Sequence, residues 1–253
     1  MEKNNCNRFT NKICLVTGSS MGIGLATAIR FGEEGATVII CSRDKTNLEK
    51  ADLQLKSKNI KFASYVCNVN HNVERKKMLE EIKEKFGRID VLVCNVAVAG
   101  IYFGPTMETT EKVYDRYFNT NVKNTFFTIQ DSLELLKVSQ NSKVLIVSSY
   151  TAYTPINLIG IYSVTKTTLI ALGSVLAQEL ANFGIRVNCI TPGVIRTKMA
   201  ESLIDTEYAI QNFMKRVGEP DEVAGLSAFL CSDDSSYVTG ETVSVNGGIY
   251  GRF

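Results

Sequence analysis

Seven short apolar runs rich in β-branched residues punctuate the chain: Ile13 to Thr17, Thr37 to Cys41, Phe62 to Cys67, Val91 to Asn95, Val144 to Ser148, Arg186 to Ile190 and Thr242 to Val245. Segments of helical periodicity lie between them, among them Gly22 to Glu34, Glu74 to Phe86, Glu108 to Val138 and Tyr162 to Asn182. A strand that is apolar on both faces cannot show either face to water, so it belongs in a parallel sheet covered by helices on both sides. Right-handed crossovers then wind the helices onto the two faces in turn. The pattern predicts a doubly wound α/β fold of about seven parallel strands. Gly35, Gly87 and Gly184 follow helical runs as C-caps do, and the four prolines (Pro105, Pro155, Pro192, Pro220) are placed between the periodic segments. No repeat or long linker divides the 253 residues, so the reading is a single domain, 1–253.

Charge narrows the range of partners. Lys+Arg 28 against Asp+Glu 26 leaves a net charge of +2, too little for a nucleic-acid or membrane footprint. The seven cysteines (Cys6, Cys14, Cys41, Cys67, Cys94, Cys189, Cys231) include no C-x-x-C pair and read as buried, reduced thiols. The single histidine, His71, cannot build a histidine metal site or a Ser-His-Asp triad; it reads as a surface residue near a helix start, and no metal is expected. The N-terminus is polar, no apolar run is expected to reach membrane-spanning length, and Gly251-Arg252-Phe253 is not a peroxisomal address. A cytoplasmic protein without a membrane span is expected.

The first strand runs into Thr17-Gly18-Ser19-Ser20-Met21-Gly22-Ile23-Gly24, and a helix follows. Glycines between a strand and a helix N-terminus let backbone approach a pyrophosphate, whose charge the helix end favours. The turn from Gly18 through Ser20, Met21, Gly22, Ile23 and Gly24 is therefore a dinucleotide-binding candidate within a Rossmann fold. The spacing differs from G-x-G-x-x-G, and no Lys-Ser or Lys-Thr follows as in a P-loop. At the end of the second strand, where an acid would hold a free 2′-hydroxyl, the chain has Ser42 and Arg43. A planar guanidinium beside a hydroxyl suits an added 2′-phosphate, so the expected cofactor is NADP(H).

Tyr162 and Lys166 share a helix face, and Ser149 lies just past the fifth strand, thirteen residues before the tyrosine. With the glycine turn, this set resembles the short-chain dehydrogenase/reductase family, from about Lys12 to the C-terminus. The T-G-x-x-x-G-x-G turn matches Thr17 to Gly24, the Y-x-x-x-K motif matches Tyr162 to Lys166, and the paired serines match Ser148-Ser149. The resemblance implies a catalytic tetrad. Tyr162 would exchange the proton, Lys166 would lower the tyrosine pKa and hold the nicotinamide ribose, and Ser149 would polarise the carbonyl. Asn121 would position a water in the relay. It also implies cofactor contacts from Pro192, Gly193, Ile195 and Thr197, from Asn68 and Val69 after the third strand, and from Asn95 and Ala97 after the fourth. Two of these depart from the family pattern: Asn68 stands for an Asp that contacts adenine, and Ala97 for a glycine where the cofactor approaches.

Val66 to Val69, the segment ending at Val98, Ile190 to Thr197 and Val217 to Gly248 resemble the NADPH-dependent carbonyl and retinal reductase branch, much of the last run being shared with 3-oxoacyl-carrier-protein reductases. The implied activity is hydride transfer between NADP(H) and a hydrophobic ketone, aldehyde or secondary alcohol. Reduction of a 3-oxoacyl thioester, or a catalytically silent dinucleotide sensor or scaffold, are the alternatives. Residues 198–216 (Met199, Leu203, Ile204, Tyr208, Ile210, Phe213, Met214) would form a substrate lid, and Tyr102, Phe103, Ile156, Leu158 and Ile159 apolar pocket walls. The resemblance also implies a homotetramer.

Overall fold

A computed structural model of the chain describes residues 6–249; the C-terminal tripeptide lies outside them. The strands are β1 (Ile13–Thr17), β2 (Thr37–Ser42), β3 (Lys61–Val66), β4 (Val91–Cys94), β5 (Lys143–Val147), β6 (Arg186–Pro192) and β7 (Thr242–Val245). They form one sheet in the order β3-β2-β1-β4-β5-β6-β7. Every adjacent pair is parallel. The chain winds outward from β1 to β3, returns to place β4 beside β1, and then winds the other way. That reversal opens a crevice at the carboxyl ends of β1 and β4.

The helices are α1 (Gly22–Glu33), α2 (Lys45–Ser57), α3 (Asn72–Phe86), α4 (Glu111–Tyr117), α5 (Asn124–Val138), α6 (Gly160–Leu180), α7 (Glu201–Ile204) and α8 (Pro220–Cys231). Neighbouring residues of one strand serve opposite layers, because strand side chains alternate. Val16 and Ile40 pack with Leu25 and Phe31 of α1, Leu48 of α2 and Val223 of α8. Leu15 and Ile39 pack on the other face with Ile82 of α3, Leu136 of α5 and Leu176 of α6. Each such side chain, removed from water, contributes about 1.5–3 kcal/mol.

Differences from the sequence reading have local causes. Pro192 ends β6 instead of lying beyond it, and Pro220 is the first residue of α8, where a missing N–H costs nothing. The stretch 108–138 is not one helix: α4 and α5 are joined by a π-helical turn, Phe118–Lys123. Cys6 is exposed, and the other six cysteines are buried. One segment, Asn157–Phe183, is after all long and apolar enough to cross a membrane by length and composition. In this fold its helix α6 packs Leu169, Leu176 and Leu180 into a core layer and buries Lys166.

The far edge of the sheet is tied by one cation. Arg186 is buried and donates to the carbonyls of Val238, Leu230 and Ser232 at 2.8, 3.2 and 2.8 Å. Replacing it by leucine removes three charge-assisted hydrogen bonds, each worth on the order of 1 kcal/mol, and leaves the carbonyls only their second donors, Asn188 Nδ2 on Val238 and Ser235 Oγ on Leu230 and Ser232. Arg186→Leu is expected to lower unfolding free energy by about 3 kcal/mol in urea denaturation. An unchanged midpoint would refute that.

Candidate active site

The crevice begins at the β1–α1 turn. Gly18 and Gly22 hold φ of 62° and 58°, the left-handed region where a side chain is strained. A Cβ on Gly24 would lie 2.5 Å from the Gly18 carbonyl oxygen and 2.6 Å from Nδ2 of Asn95. Gly24 lies behind the residues that line the cleft, and its missing Cβ lets α1 close onto its own turn. Asn95 braces that turn from β4, its side-chain amide donating to the carbonyls of Thr17 (3.2 Å) and Gly18 (3.0 Å). Met21 caps α1 without any side-chain hydrogen bond, and no acid stands in the first turn. The uncapped N–H groups and the dipole suit a pyrophosphate, so the donor set fits a dinucleotide.

At the end of β2, the Ser42 hydroxyl accepts from Asp44 N at 3.2 Å and from the Ser20 hydroxyl at 3.1 Å. Asp44 is committed to capping α2, accepting from Asn47 N at 3.0 Å and Asn47 Nδ2 at 2.8 Å. Arg43 is exposed at the cleft rim and forms no hydrogen bond or ion pair with the described residues.

The catalytic corner lies across the sheet. Ser149, extended at φ −162°, caps a short 3₁₀ turn, and its Oγ accepts from Thr151 N and Oγ1 at 3.2 and 3.1 Å. Burial pushes the Tyr162 phenol up to about 12, while its hydrogen bond with Ser149 pulls the other way. Lys166 is only 2% exposed. Its Nζ donates to the Val147 carbonyl at 3.0 Å and stands 5.6 Å from the Tyr162 ring centre. Burial pushes this lysine down to about 7. Both groups are thus driven toward their neutral forms, and burial rather than the lysine's charge dominates the tyrosine.

Asn121 is fully buried within the π-helical turn. Its Oδ1 accepts from Val98 N at 2.8 Å, and its Nδ2 donates to Val98 O and Thr165 Oγ1, both at 3.1 Å. It does not line the cavity; it clamps the segment after β4 to α6, three residues from Tyr162. π-turns of this kind concentrate at functional sites.

Burying Lys166 has a thermodynamic signature. The folded value, about 7, lies below the ~10.4 of an unfolded lysine, so the unfolded chain binds more protons between those values. The penalty is complete below pH 7, shrinks as pH rises and is gone above about 10.4. Lys166→Met is therefore expected to raise stability by about 2–4 kcal/mol near pH 6, less the lost bond to Val147, and by progressively less toward pH 10. Thermal melts of both proteins across that range check it; a gain independent of pH would contradict it.

One cavity of about 800 Å³ joins the two regions. Every other residue nominated for cofactor contact lines it, Asn68, Val69, Asn95, Ala97, Pro192, Gly193, Ile195 and Thr197 included, as do Ser149, Tyr162 and Lys166. Asn70, Thr120 and Tyr150 line it too and escaped sequence reasoning, for no motif marks them. Cys41 and Cys67 also reach the wall, with burial pushing their thiols up to about 12 and about 11, so they are inert. Apolar groups dominate the end beyond Tyr162: Phe103, Ile156, Leu158, Ile159, Met199 and Leu203. Of residues 198–216, Ala209 is buried, and Phe213 and Met214 face outward.

A glycine turn at the switch point of a doubly wound sheet, facing a buried Ser-Tyr-Lys corner, defines a dinucleotide-dependent oxidoreductase. Residues 18–250 match the family model described as Enoyl-(Acyl carrier protein) reductase. The chain belongs to the short-chain dehydrogenase/reductase family. It is 40% identical over 250 residues to Tropinone reductase-like 3 of Erythroxylum coca, covering 97% of this chain and 95% of that protein. To Dehydrogenase/reductase SDR family member 4 of Bos taurus it is 38% identical over 247 residues, covering 96% and 88%. A solved 7 alpha-hydroxysteroid dehydrogenase, complexed with NADH and 7-oxo glycochenodeoxycholic acid, superimposes with a TM-score of 0.91 at 25% identity over 98% of both chains. The family binds a nicotinamide dinucleotide and acts on small molecules.

Proposed function

We propose that the protein is an NADPH-dependent carbonyl reductase acting on hydrophobic ketones or aldehydes. The observation that carries the reading is the pairing of the unpartnered Arg43 at the β2 end with an apolar wall beyond Tyr162. A nicotinamide dinucleotide, when bound, supplies the hydride for the carbonyl carbon. Ser149 donates its hydroxyl hydrogen bond to the carbonyl oxygen, which gains charge as the reaction proceeds. Tyr162 gives its phenolic proton to that oxygen, completing the alcohol. Lys166 holds the ribose side of the cleft and faces the phenol from one helical turn away. Asn121 acts through position, fixing Val98 and α6 around the corner. Residues 198–216 cover the substrate end and exclude water.

Support for a reductase reading comes also from a relative named as tropinone reductase-like. The family model's description keeps an acyl-thioester substrate as the competing reading. Following NADPH and NADH oxidation with hydrophobic ketones, diketones, retinal and acetoacetyl thioesters separates them. Turnover of thioesters alone would overturn the carbonyl-reductase reading. A cytoplasmic homotetramer is part of the same proposal. The outward residues Val164 and Val175 of α6 and Val138 of α5 are 47%, 49% and 61% exposed, as faces awaiting a second copy are. Light scattering is expected to give four times the 27.9 kDa chain mass; a monomer at micromolar concentration would refute it.

A further inference from the structure

The cleft ends, on the side away from Tyr162, on the β3–α3 turn. Three groups from outside that turn hold it. The Glu74 carboxylate accepts from Asn68 N at 2.8 Å. Arg75 Nη1 donates to the Val69 carbonyl at 2.8 Å, and Asn70 Nδ2 donates to Thr120 Oγ1 at 3.2 Å. Glu74 also holds the Asn68 side chain through His71: its Oε1 is 2.7 Å from Nδ1, and Nε2 is 3.3 Å from Asn68 Nδ2.

Arg75 is 5% exposed, and its Nε and Nη2 both reach Asp131 of α5 at 2.7 Å. Its guanidinium lies 5.8 Å from the Phe127 ring centre. A buried ion pair is weak evidence for stability, since desolvation offsets most of its attraction. A tie between α3 and α5 needs only that pair. Here the remaining arm of the fork reaches a turn whose residues line the cofactor cleft.

A bound dinucleotide would set its nicotinamide end by Tyr162 and its adenosine ribose at the end of β2. The next strand outward is β3, so its turn would meet the base. We infer that Arg75 and Glu74 are positioning residues for the adenosine half of the dinucleotide, holding the Asn68–Asn70 turn in its receiving shape before the cofactor arrives. Preorganising a receiving surface strengthens binding by removing the cost of ordering it on contact. The inference rests on the cleft's holding a nicotinamide dinucleotide and does not depend on the 2′-phosphate preference.

The test compares NADPH with nicotinamide mononucleotide (reduced), which lacks the adenosine half, by calorimetric titration of Arg75→Met, Arg75→Lys and Glu74→Ala. Arg75→Met is expected to raise the NADPH Kd about tenfold, with partial recovery in Arg75→Lys, and Glu74→Ala to raise it about threefold. The mononucleotide Kd is expected to stay within about twofold in all three. Equal weakening of both ligands would show general loosening and overturn the assignment, as would an unchanged NADPH Kd. Glu74 is exposed, so its variant decides the matter even if Arg75→Met fails to fold. A parent protein that binds neither ligand would overturn the cofactor reading itself, a different failure from variants that bind like the parent.

Discussion

Tyr162→Phe is expected to lower the rate of carbonyl reduction by about 10³-fold or more while leaving NADPH binding intact. The phenol is the group assigned to give the proton; Ser149 Oγ accepts from Thr151 and shares a hydrogen bond with Tyr162, and the Lys166 Nζ is turned to the Val147 carbonyl. A positioned general acid is worth roughly 10²–10⁴ in rate, and phenylalanine keeps the ring that fills the cavity wall. The pH behaviour follows from the same burial. Since the phenol is held up to about 12, it stays protonated through the neutral range and gives reduction no slope of its own between pH 6 and 9, so an inflection in that window belongs to Lys166, held down to about 7. Alcohol oxidation needs the ionised form and is expected to climb about tenfold per pH unit over that range. Stopped-flow traces in both directions check this. Residual reduction within tenfold of the parent would remove Tyr162 from its role, and an oxidation rate that falls with pH would refute the assigned direction of proton flow.

The architecture was readable because buried parallel strands have no polar alternation to obscure them. Strand ends were less so. β3 begins at Lys61, whose charge hides it from an apolar search but whose backbone pairs with Thr37, and β6 continues to Pro192, which pairs with Val245. Ser149, Tyr162 and Lys166 were legible as a spacing, and the structure brings all three to one cavity. Their protonation was not legible. A spacing says that a lysine is near a tyrosine; it does not say that both are buried, with the lysine driven down to about 7. Asn121 is the clearest case. Its segment reads as ordinary helix, whereas the chain winds there as a π-turn and Val98 and Thr165, distant in sequence, satisfy its side chain. At Gly24 the motif marks a cofactor contact but not a second demand that only the structure shows, the missing Cβ that lets α1 close onto its own turn. Arg75 carries no motif, and its link to Val69 needs the third dimension.

Arg43→Ala is expected to weaken NADPH use by about tenfold to a hundredfold in kcat/KM while changing NADH use by less than about twofold. The argument is one of supply. A 2′-phosphate brings close to two negative charges to the end of β2, where the nearest acid, Asp44, is occupied by Asn47 and the Ser42 hydroxyl is already oriented. Arg43 is the cation at that rim with no partner among the described residues, so it loses no existing bond in turning to the phosphate. A hydrogen bond to a charged group contributes about 1.5–3 kcal/mol, which is the stated range in affinity. Exposure places the contact under ionic screening, so the NADPH KM of the parent is expected to rise with salt while the NADH KM does not. In Arg43→Ala that salt dependence should largely vanish. Equal losses with both cofactors would mean that Arg43 supports the adenosine pocket generally, and a parent enzyme that prefers NADH would overturn the NADPH assignment regardless of the variant.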